Sequence, residues 1–350
     1  MYTVAYYYIA YSIPFSAHCS LFFHSGYGKW CSTLYVFVLV PILDLMFGKD
    51  YTNPSEEDEK FYKYNFQYTL PLLLWLPSEL FLITKAAKYL NGDITFAYWL
   101  SSTIAVGLCS GIGIACAHEL GHIPSRLCSF FSKGLLLSAC YGSFAIEHNY
   151  GHHKNVGTDK DPTTAKLNES FYHFFFRSIS GVVTNSWKTE SKSLKRRGYS
   201  GISLFLRNQV LFDSIVSAST GFLFYFLLGW KAMVFYFTQA LVAVTLLQLA
   251  NYIEHYGLIR HKLPNGRYEP VNVSHSWDAP YKLTNLLTFK LQRHSDHHQD
   301  PLRPYHLLRM YKETPKLPYA YITMMVIALF PPYYFRLVHP LIPAKMHSNA

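Results

Sequence analysis

Six stretches of the chain are apolar enough to enter a lipid bilayer, and this feature limits the possible folds more than any other. A transmembrane helix needs roughly 20 mostly apolar residues. Because unpaired backbone groups are costly in hydrocarbon, such stretches are expected to be helical. The sequence therefore predicts an all-α membrane protein with about six transmembrane helices, at 3–23, 32–47, 64–84, 94–117, 214–230 and 232–253.

The composition supports this interpretation. Only 15% of the 350 residues are charged, whereas soluble domains carry about a quarter. We expect the more polar segments, 118–213 and 254–350, to form a cap that belongs to the same single domain, 1–350. A short apolar run at 134–146 is expected to be a buried or half-inserted helix. The run at 318–335 has two adjacent prolines and four tyrosines, which favours a re-entrant or interfacial segment over a seventh span.

The lysines and arginines of the loops predict the orientation. One side of the membrane receives few of them, whereas the other receives the long segments with the run Lys192–Arg197. Because basic loops stay in the cytoplasm, the termini and the cap are predicted to be cytoplasmic. In a bacterial cell this multi-pass protein would lie in the inner membrane. The net charge of +10 then indicates anionic lipid or an acidic protein partner, and not nucleic acid.

Nine of the seventeen histidines occur in four groups, and the topology places all four groups on the cytoplasmic side. Two groups begin where a predicted span ends, and the other two follow shorter segments of the cap. These candidate metal ligands are His118 and His122; His148, His152 and His153; His255; and His294, His297 and His298.

The spacing of these histidines is typical of metal sites. Residues four apart on a helix share a face, so His118 is expected to pair with His122, and His148 with His152. Nine imidazoles exceed the four ligands of one zinc ion, which indicates two metal ions. Ligation by imidazole without thiolate suits iron, copper, zinc or nickel. The six cysteines form no C-x-x-C pair.

Four carboxylates adjoin these histidines: Glu119, Glu147, Glu254 and Asp296. A carboxylate beside a metal-binding imidazole commonly orients the ring through its other nitrogen. We expect that role for all four, and Glu254 is the strongest candidate for direct binding to a metal.

The sequence around the histidines resembles the integral-membrane alkane 1-monooxygenase family, which belongs to the histidine-rich membrane di-iron desaturases and hydroxylases. The segments that carry the resemblance are HELGH (118–122), EHNYGHH (147–153), TDKDPT (158–163), NYIEHYGL (251–258) and LQRHSDHH (291–298).

This resemblance implies a cofactor, a reaction and partners. The nine histidines would hold two non-haem irons, and the enzyme would hydroxylate the terminal methyl of medium- or long-chain n-alkanes with O2. Electrons would come from rubredoxin and an NADH-dependent rubredoxin reductase. We expect the rubredoxin to be a separate protein, and the basic run Lys192–Arg197 to face either this acidic partner or lipid.

An alkane offers no hydrogen bond, so the substrate is expected to occupy an apolar tunnel between the spans. Aromatic side chains in the spans are candidate walls: Phe66, Trp75, Phe96 and Trp99.

Three other functions remain open on the sequence. The first is a fatty-acyl desaturase or hydroxylase, or a xylene-type monooxygenase, with similar histidine groups. The second is an intramembrane zinc protease that uses His118, Glu119 and His122. The third is a non-catalytic metal transporter, although the span interiors have few of the polar residues it would need.

Overall fold

The structure, a computed structural model, describes residues 2–346, so the last four residues of the predicted cap lie outside the described residues. Across the described part, regular structure is helical, with only isolated β-bridges beside it. We number ten helical segments: α1 Ser12–Phe22, α2 Gly28–Phe47, α3 Phe66–Tyr89, α4 Phe96–His122, α5 Arg126–Ser138, α6 Phe171–Arg196, α7 Gln209–Leu228, α8 Trp230–His255, α9 Tyr321–Ala328 and α10 Pro331–Val338.

Shorter helical segments connect these elements. They are Val4–Tyr7, Tyr8–Tyr11, Glu56–Tyr62, Ser143–Glu147, His148–His152, His153–Asn155, Gly201–Leu206, Val273–His275, Lys282–Leu287, His294–Gln299, Tyr305–Leu307, His339–Leu341 and Ala344–Met346.

Within residues 2–346, five helices are long and apolar enough to cross a membrane: α2, α3, α4, α7 and α8. The all-α membrane fold is thereby confirmed. The predicted span at 3–23 is helical from Val4 to Phe22 and packs against α3 and α4, but it is not one of the five.

Local sequence sets where the long helices begin. Asn65, Thr95 and Asn208 each accept a hydrogen bond from a backbone N–H in the first turn of α3, α4 and α7. Such caps satisfy amide groups that have no partner within the helix. Between α7 and α8 stands Gly229 with φ 95°, a conformation that favours glycine, and it turns the chain into a tight hairpin.

α4 and α8 form the centre of the bundle, because glycines allow their backbones to approach closely. A Cβ atom on Gly107 would lie 2.5 Å from Cβ of Val242, and Gly111 faces Leu246. Rising residue numbers on α4 meet rising numbers on α8, so the two helices run in the same direction. Their C-terminal histidines therefore finish at the same end of the bundle.

α5 turns back along α4 towards the interior of the bundle. The Ser132 hydroxyl donates to the carbonyl of Ala117 (2.7 Å), and the Ser138 hydroxyl donates to Glu79 (2.7 Å). The run 134–146 is not one helix, because Cys140 has φ 54° and separates α5 from Ser143–Glu147.

The segment 318–335 forms α9 and the start of α10. Each helix has eight residues, or roughly 12 Å of length at 1.5 Å per residue. That is short of the roughly 30 Å of a hydrocarbon core, so neither helix crosses a bilayer alone. α9 packs against α8, near the end that carries His255.

Candidate metal centre

The structure brings all nine predicted histidines together in two neighbouring groups. In each group the potential ligand atoms lie within 4.8 Å of one another. The larger group contains His118, His122, His148, His153 and His297, and the smaller contains His152, His255, His294 and His298.

The Nε2 atoms of the larger group face a common centre. Nε2 of His148 lies 3.2 Å from Nε2 of His122 and 2.9 Å from Nε2 of His153, which is 3.2 Å from Nε2 of His297. His118 adds a buried Nε2 without a hydrogen-bond partner. The arrangement directs five imidazole nitrogens at one small volume.

The smaller group repeats this arrangement. Nε2 of His298 lies 3.1 Å from Nε2 of His152 and 3.0 Å from Nε2 of His294, which is 3.2 Å from Nε2 of His255. All four rings are buried.

These distances fit metal ligation. Imidazole nitrogens bind first-row metal ions at roughly 2.1 Å, which places adjacent ligand nitrogens of one ion roughly 3 Å apart. A neutral imidazole has only one N–H, so a ring of facing nitrogens suits a cation at its centre better than a chain of hydrogen bonds. Burial also lowers the pKa of His148, His294, His297 and His298 well below the usual range, which favours the neutral form of the ring that can bind a metal.

The two histidine doublets are each divided between the groups. His152 belongs to the smaller group and His153 to the larger, whereas His297 belongs to the larger and His298 to the smaller. Successive residues on a helix point about 100° apart, so a doublet can serve two centres that lie side by side.

The predicted pairing of His148 with His152 is wrong, and the cause is a local change of helix type. His148–His152 is a turn of π-helix, in which backbone bonds join residues five apart. His148 therefore faces His153, and His152 turns to the smaller group. The pair His118 and His122 stays in one group, as does the pair His294 and His298, because those segments are α-helical.

Asp161 supports His152 and was not among the predicted site residues. The His152 Nδ1–H donates to Oδ2 of Asp161 at 2.9 Å, and Nδ1 also lies 2.7 Å from the Thr163 hydroxyl. Burial raises the pKa of Asp161, but the His152 ring, the Thr164 hydroxyl and the His255 ring together outweigh burial and lower the pKa to about 2. The only signal in the sequence was the TDKDPT segment, where no histidine marked the aspartate as a neighbour.

Two of the predicted carboxylates lie beside the histidine rings. Oε1 of Glu119 is 3.1 Å from Nδ1 of His118, the contact expected of an orienting carboxylate. Oε2 of Glu254 is 3.5 Å from Nε2 of His294, and its buried Oε1 has no hydrogen-bond partner. Glu254 therefore lies on the side of the smaller group where the Nε2 atoms converge.

The structure places Glu147 and Asp296 in different surroundings. The Glu147 carboxylate packs so closely against Gly151 that a Cβ atom on residue 151 would collide with the carboxylate. Burial raises the pKa of Glu147 to about 7. Asp296 accepts hydrogen bonds from the Arg303 guanidinium (3.1 Å) and the Tyr311 hydroxyl (2.8 Å). Asp296 therefore fixes the segment that follows His294–Gln299. The hydrogen bonds of its carboxylate in the described part of the chain come from Arg303, Arg309 and Tyr311, and not from a histidine.

An apolar cavity of about 880 Å³, including its opening, leads to the histidines. His118, His148, His294 and Glu254 line one end. The remaining walls come mainly from apolar side chains of α2, α4, α8 and α9, including Val36, Phe37, Leu108, Ile112, Leu246, Leu247, Ile322 and Met325.

The four aromatic residues predicted as tunnel walls do not line this apolar cavity. Phe96 and Trp99 line a separate cavity with Trp230, at the end of α4 away from His122. Trp75 is buried, and its indole N–H donates to the carbonyl of Cys109 (3.2 Å). Phe66 borders a third cavity, which reaches His122 and Glu119.

Comparisons with known proteins show which proteins this chain resembles. Residues 94–328 match the family model described as fatty acid desaturase. The chain is 35% identical to alkane 1-monooxygenase 2 of Alcanivorax borkumensis (95% of this chain, 87% of the relative) and 37% identical to alkane 1-monooxygenase 2 of Pseudomonas aeruginosa (90% and 84%). It is 26% identical to the xylene/toluene monooxygenase hydroxylase component XylM of Pseudomonas putida (94% and 86%).

Proposed function

The chain belongs to the alkane 1-monooxygenase family, a branch of the fatty acid desaturase superfamily, and from this premise we propose its reaction, cofactor and partners. It is a membrane oxidoreductase that hydroxylates the terminal methyl group of n-alkanes with O2. The observation that carries this proposal is the apolar cavity that ends on convergent imidazoles. A protease would need a peptide-binding surface at this point, whereas an alkane needs only a dry cavity.

The cofactor we propose is a pair of non-haem iron ions, one in each histidine group. The five-histidine group and the four-histidine group each supply enough neutral imidazoles for one ion, and Glu254 would complete the smaller set through Oε2, the oxygen that lies 3.5 Å from Nε2 of His294. Bound there, the irons would supply the activation of O2 and the oxidising power for attack on a C–H bond.

The protein contributes position and exclusion of water. Buried apolar side chains hold the alkane, because each CH2 removed from water gains about 0.8 kcal/mol. The cavity offers its polar groups mainly where the histidines stand, so a hydrocarbon chain that fills it presents one end to the metal centre. This geometry favours attack at a terminal methyl.

For the electron partner we propose rubredoxin, itself reduced by an NADH-dependent rubredoxin reductase. A basic surface crevice supports this choice: Lys154, Lys192, Arg196 and Arg197 line it, together with Tyr150, whose side chain is exposed. Tyr150 lies two residues from both His148 and His152. An acidic carrier docked there would stand close to both histidine groups. The positive-inside rule further leads us to propose that this surface and both termini are cytoplasmic, in the inner membrane of a bacterial cell.

Reversal of charge in this crevice tests the docking surface. We expect the double variant Arg196→Glu and Arg197→Glu to lower kcat/KM for rubredoxin about tenfold at low salt, with a smaller effect at high salt because screening weakens the attraction. Turnover with a small chemical reductant should not change. Lys88→Glu, at the opposite end of the bundle, is the matched control. Equal rubredoxin kinetics in the double variant would place the docking surface elsewhere.

Loss of the Asp161 carboxylate tests the support of His152. We expect Asp161→Asn to lower the affinity of the smaller group for iron by 10- to 100-fold, the usual effect of a partner that orients a metal-binding imidazole. Titration with a competing chelator measures this affinity. Asp159→Asn, an exposed neighbour, is the control, and an unchanged affinity in Asp161→Asn would remove the carboxylate from the site.

The reaction is tested on membranes that contain the protein. They are incubated with octane to hexadecane, NADH, rubredoxin and its reductase, and the products are identified by mass spectrometry. We expect 1-alkanols and roughly two irons per chain. One zinc per chain without alkanol would favour the protease instead, and oxidation of xylene or desaturation of an acyl chain without alkanol would assign another reaction of the superfamily.

A further inference from the structure

The third cavity, which Phe66 borders, has walls of polar and apolar side chains, reaches the histidine groups, and shares no lining residue with the apolar cavity. It measures about 940 Å³ with its opening, and His122 and Glu119 stand at its inner end. His122 and His153 are the two of the nine histidines that are only partly buried, and His122 is among the residues that line this cavity. It begins next to the five-histidine group.

The walls of this cavity mix polar and apolar groups. Asn65, Thr69, Ser125 and His306 contribute polar side chains, and Leu72 is among the apolar ones. The apolar cavity, by contrast, has few polar side chains away from its histidine end. The two cavities therefore suit ligands of different polarity.

The outer opening is surrounded by exposed apolar side chains. Phe66 is 57% exposed, Leu127 is 49% exposed and Leu302 is 67% exposed, and all three line the cavity. These residues lie where α3 and α5 begin and α4 has ended, at the end of the bundle that carries the histidines. An apolar rim at this level matches the boundary between lipid and water.

From these observations we infer that the third cavity releases the product, a primary alcohol, to the membrane surface. This inference rests on the proposed function. Hydroxylation turns an apolar chain into an amphiphile, and its new hydroxyl forms at the metal centre. Return through the apolar cavity would bury that hydroxyl without a partner, which is unfavourable. In the third cavity, polar side chains such as Thr69 offer it hydrogen bonds, and the apolar rim accepts its alkyl chain.

A bulky residue in this cavity should slow release without slowing chemistry. In Thr69→Trp we expect the first turnover to give alkanol at the wild-type rate and yield, followed by a steady-state rate about tenfold lower, equal to about 1.4 kcal/mol on the release step. Leu70→Trp, the next residue along α3 but outside the cavity, is the matched control and should keep both phases. Rapid mixing of the reduced holoenzyme and dodecane with O2 measures the two phases, with NADH, rubredoxin and its reductase present to supply electrons for the later turnovers.

The other outcomes contradict the inference. An unchanged steady-state rate in Thr69→Trp would mean that the alcohol leaves elsewhere. Equal slowing of the first turnover would mean that the cavity admits O2 or protons instead. Absence of alkanol in the wild-type protein would overturn the proposed function itself, a result distinct from both.

A binding measurement tests the same route without turnover. A dodecan-1-ol that carries a diazirine should label peptides at 64–69 and 301–306, and unlabelled dodecan-1-ol should compete better than dodecane. We expect Thr69→Trp to reduce this labelling several-fold and Leu70→Trp to leave it unchanged. Labelling confined to the apolar cavity, at 108–115 and 246–251, would overturn the assignment.

Discussion

Replacement of His298 by alanine is expected to remove one iron from the protein and abolish alkane hydroxylation. His298, like His294, has an Nε2 atom close to those of two other members of the smaller group; for His298 these are His152 at 3.1 Å and His294 at 3.0 Å. Its loss leaves three imidazoles and an uncompensated gap in a buried site. Iron analysis should show a fall from about two ions per chain towards one, and the hydroxylation rate should drop by at least about 100-fold, since even outer partners of metal ligands cost 10- to 100-fold.

The neighbouring residue should behave differently, although it is only one position away. His297 belongs to the larger group, so His297→Ala leaves four imidazoles around that centre. We expect iron to bind more weakly in the five-histidine group and to refill this group in part at high iron concentration. The loss of hydroxylation should be as large as in His298→Ala.

The control for both variants is His173→Ala. The His173 side chain is 74% exposed and contacts Glu169, away from the histidine groups, so iron content and turnover should stay at wild-type levels. If both His297→Ala and His298→Ala kept two irons per chain, the assignment of His297 and His298 to two different metal centres would be wrong.

The fold and the residue types of the candidate site were predictable because they depend on local patterns. Long uncharged runs leave the backbone few choices other than a membrane helix. The regular α-helical spacing of four also grouped His118 with His122 correctly. Asp44 is an acidic residue within the predicted span 32–47, and a distant partner explains its presence there. Its carboxylate accepts a hydrogen bond from the backbone N–H of Thr284 (2.9 Å) and thereby caps the helix Lys282–Leu287.

Features that depend on tertiary packing were not predictable in this way. The π-helical turn at His148–His152 has no sequence signal as clear as an α-helical repeat, and it alone decides which group His152 joins. Asp161 reaches His152 through a loop whose path is set by its own contacts with Thr163 and Thr164.

The tunnel walls show the same limit. Aromatic side chains were chosen for their size, whereas the apolar cavity is shaped by the aliphatic faces of α4 and α8 that meet across Gly111 and Leu246. Which face of a helix borders a cavity is decided by its neighbours, and these come from distant parts of the chain.

The length of the apolar cavity should set the range of alkanes, and Leu108 offers the clearest test. Leu108 is buried and lines the cavity on α4, ten residues before His118, or roughly 15 Å along the helix. A larger side chain there shortens the space available to the far end of the substrate. If Leu108→Trp excludes three methylene groups of hexadecane from the cavity, the binding free energy of hexadecane weakens by about 2.4 kcal/mol. The value of kcat/KM for hexadecane should then fall roughly 60-fold relative to octane.

The comparison of octane with hexadecane separates a shorter cavity from general damage. A misfolded variant would lose both substrates together and would lose iron, whereas a shorter cavity keeps two irons and most of the octane activity. Leu80→Trp, an exposed position on α3, introduces the same side chain outside the cavity and should leave the ratio unchanged. An unaltered ratio in Leu108→Trp with full iron content would show that the alkane lies elsewhere, because a filled cavity cannot accept the same chain.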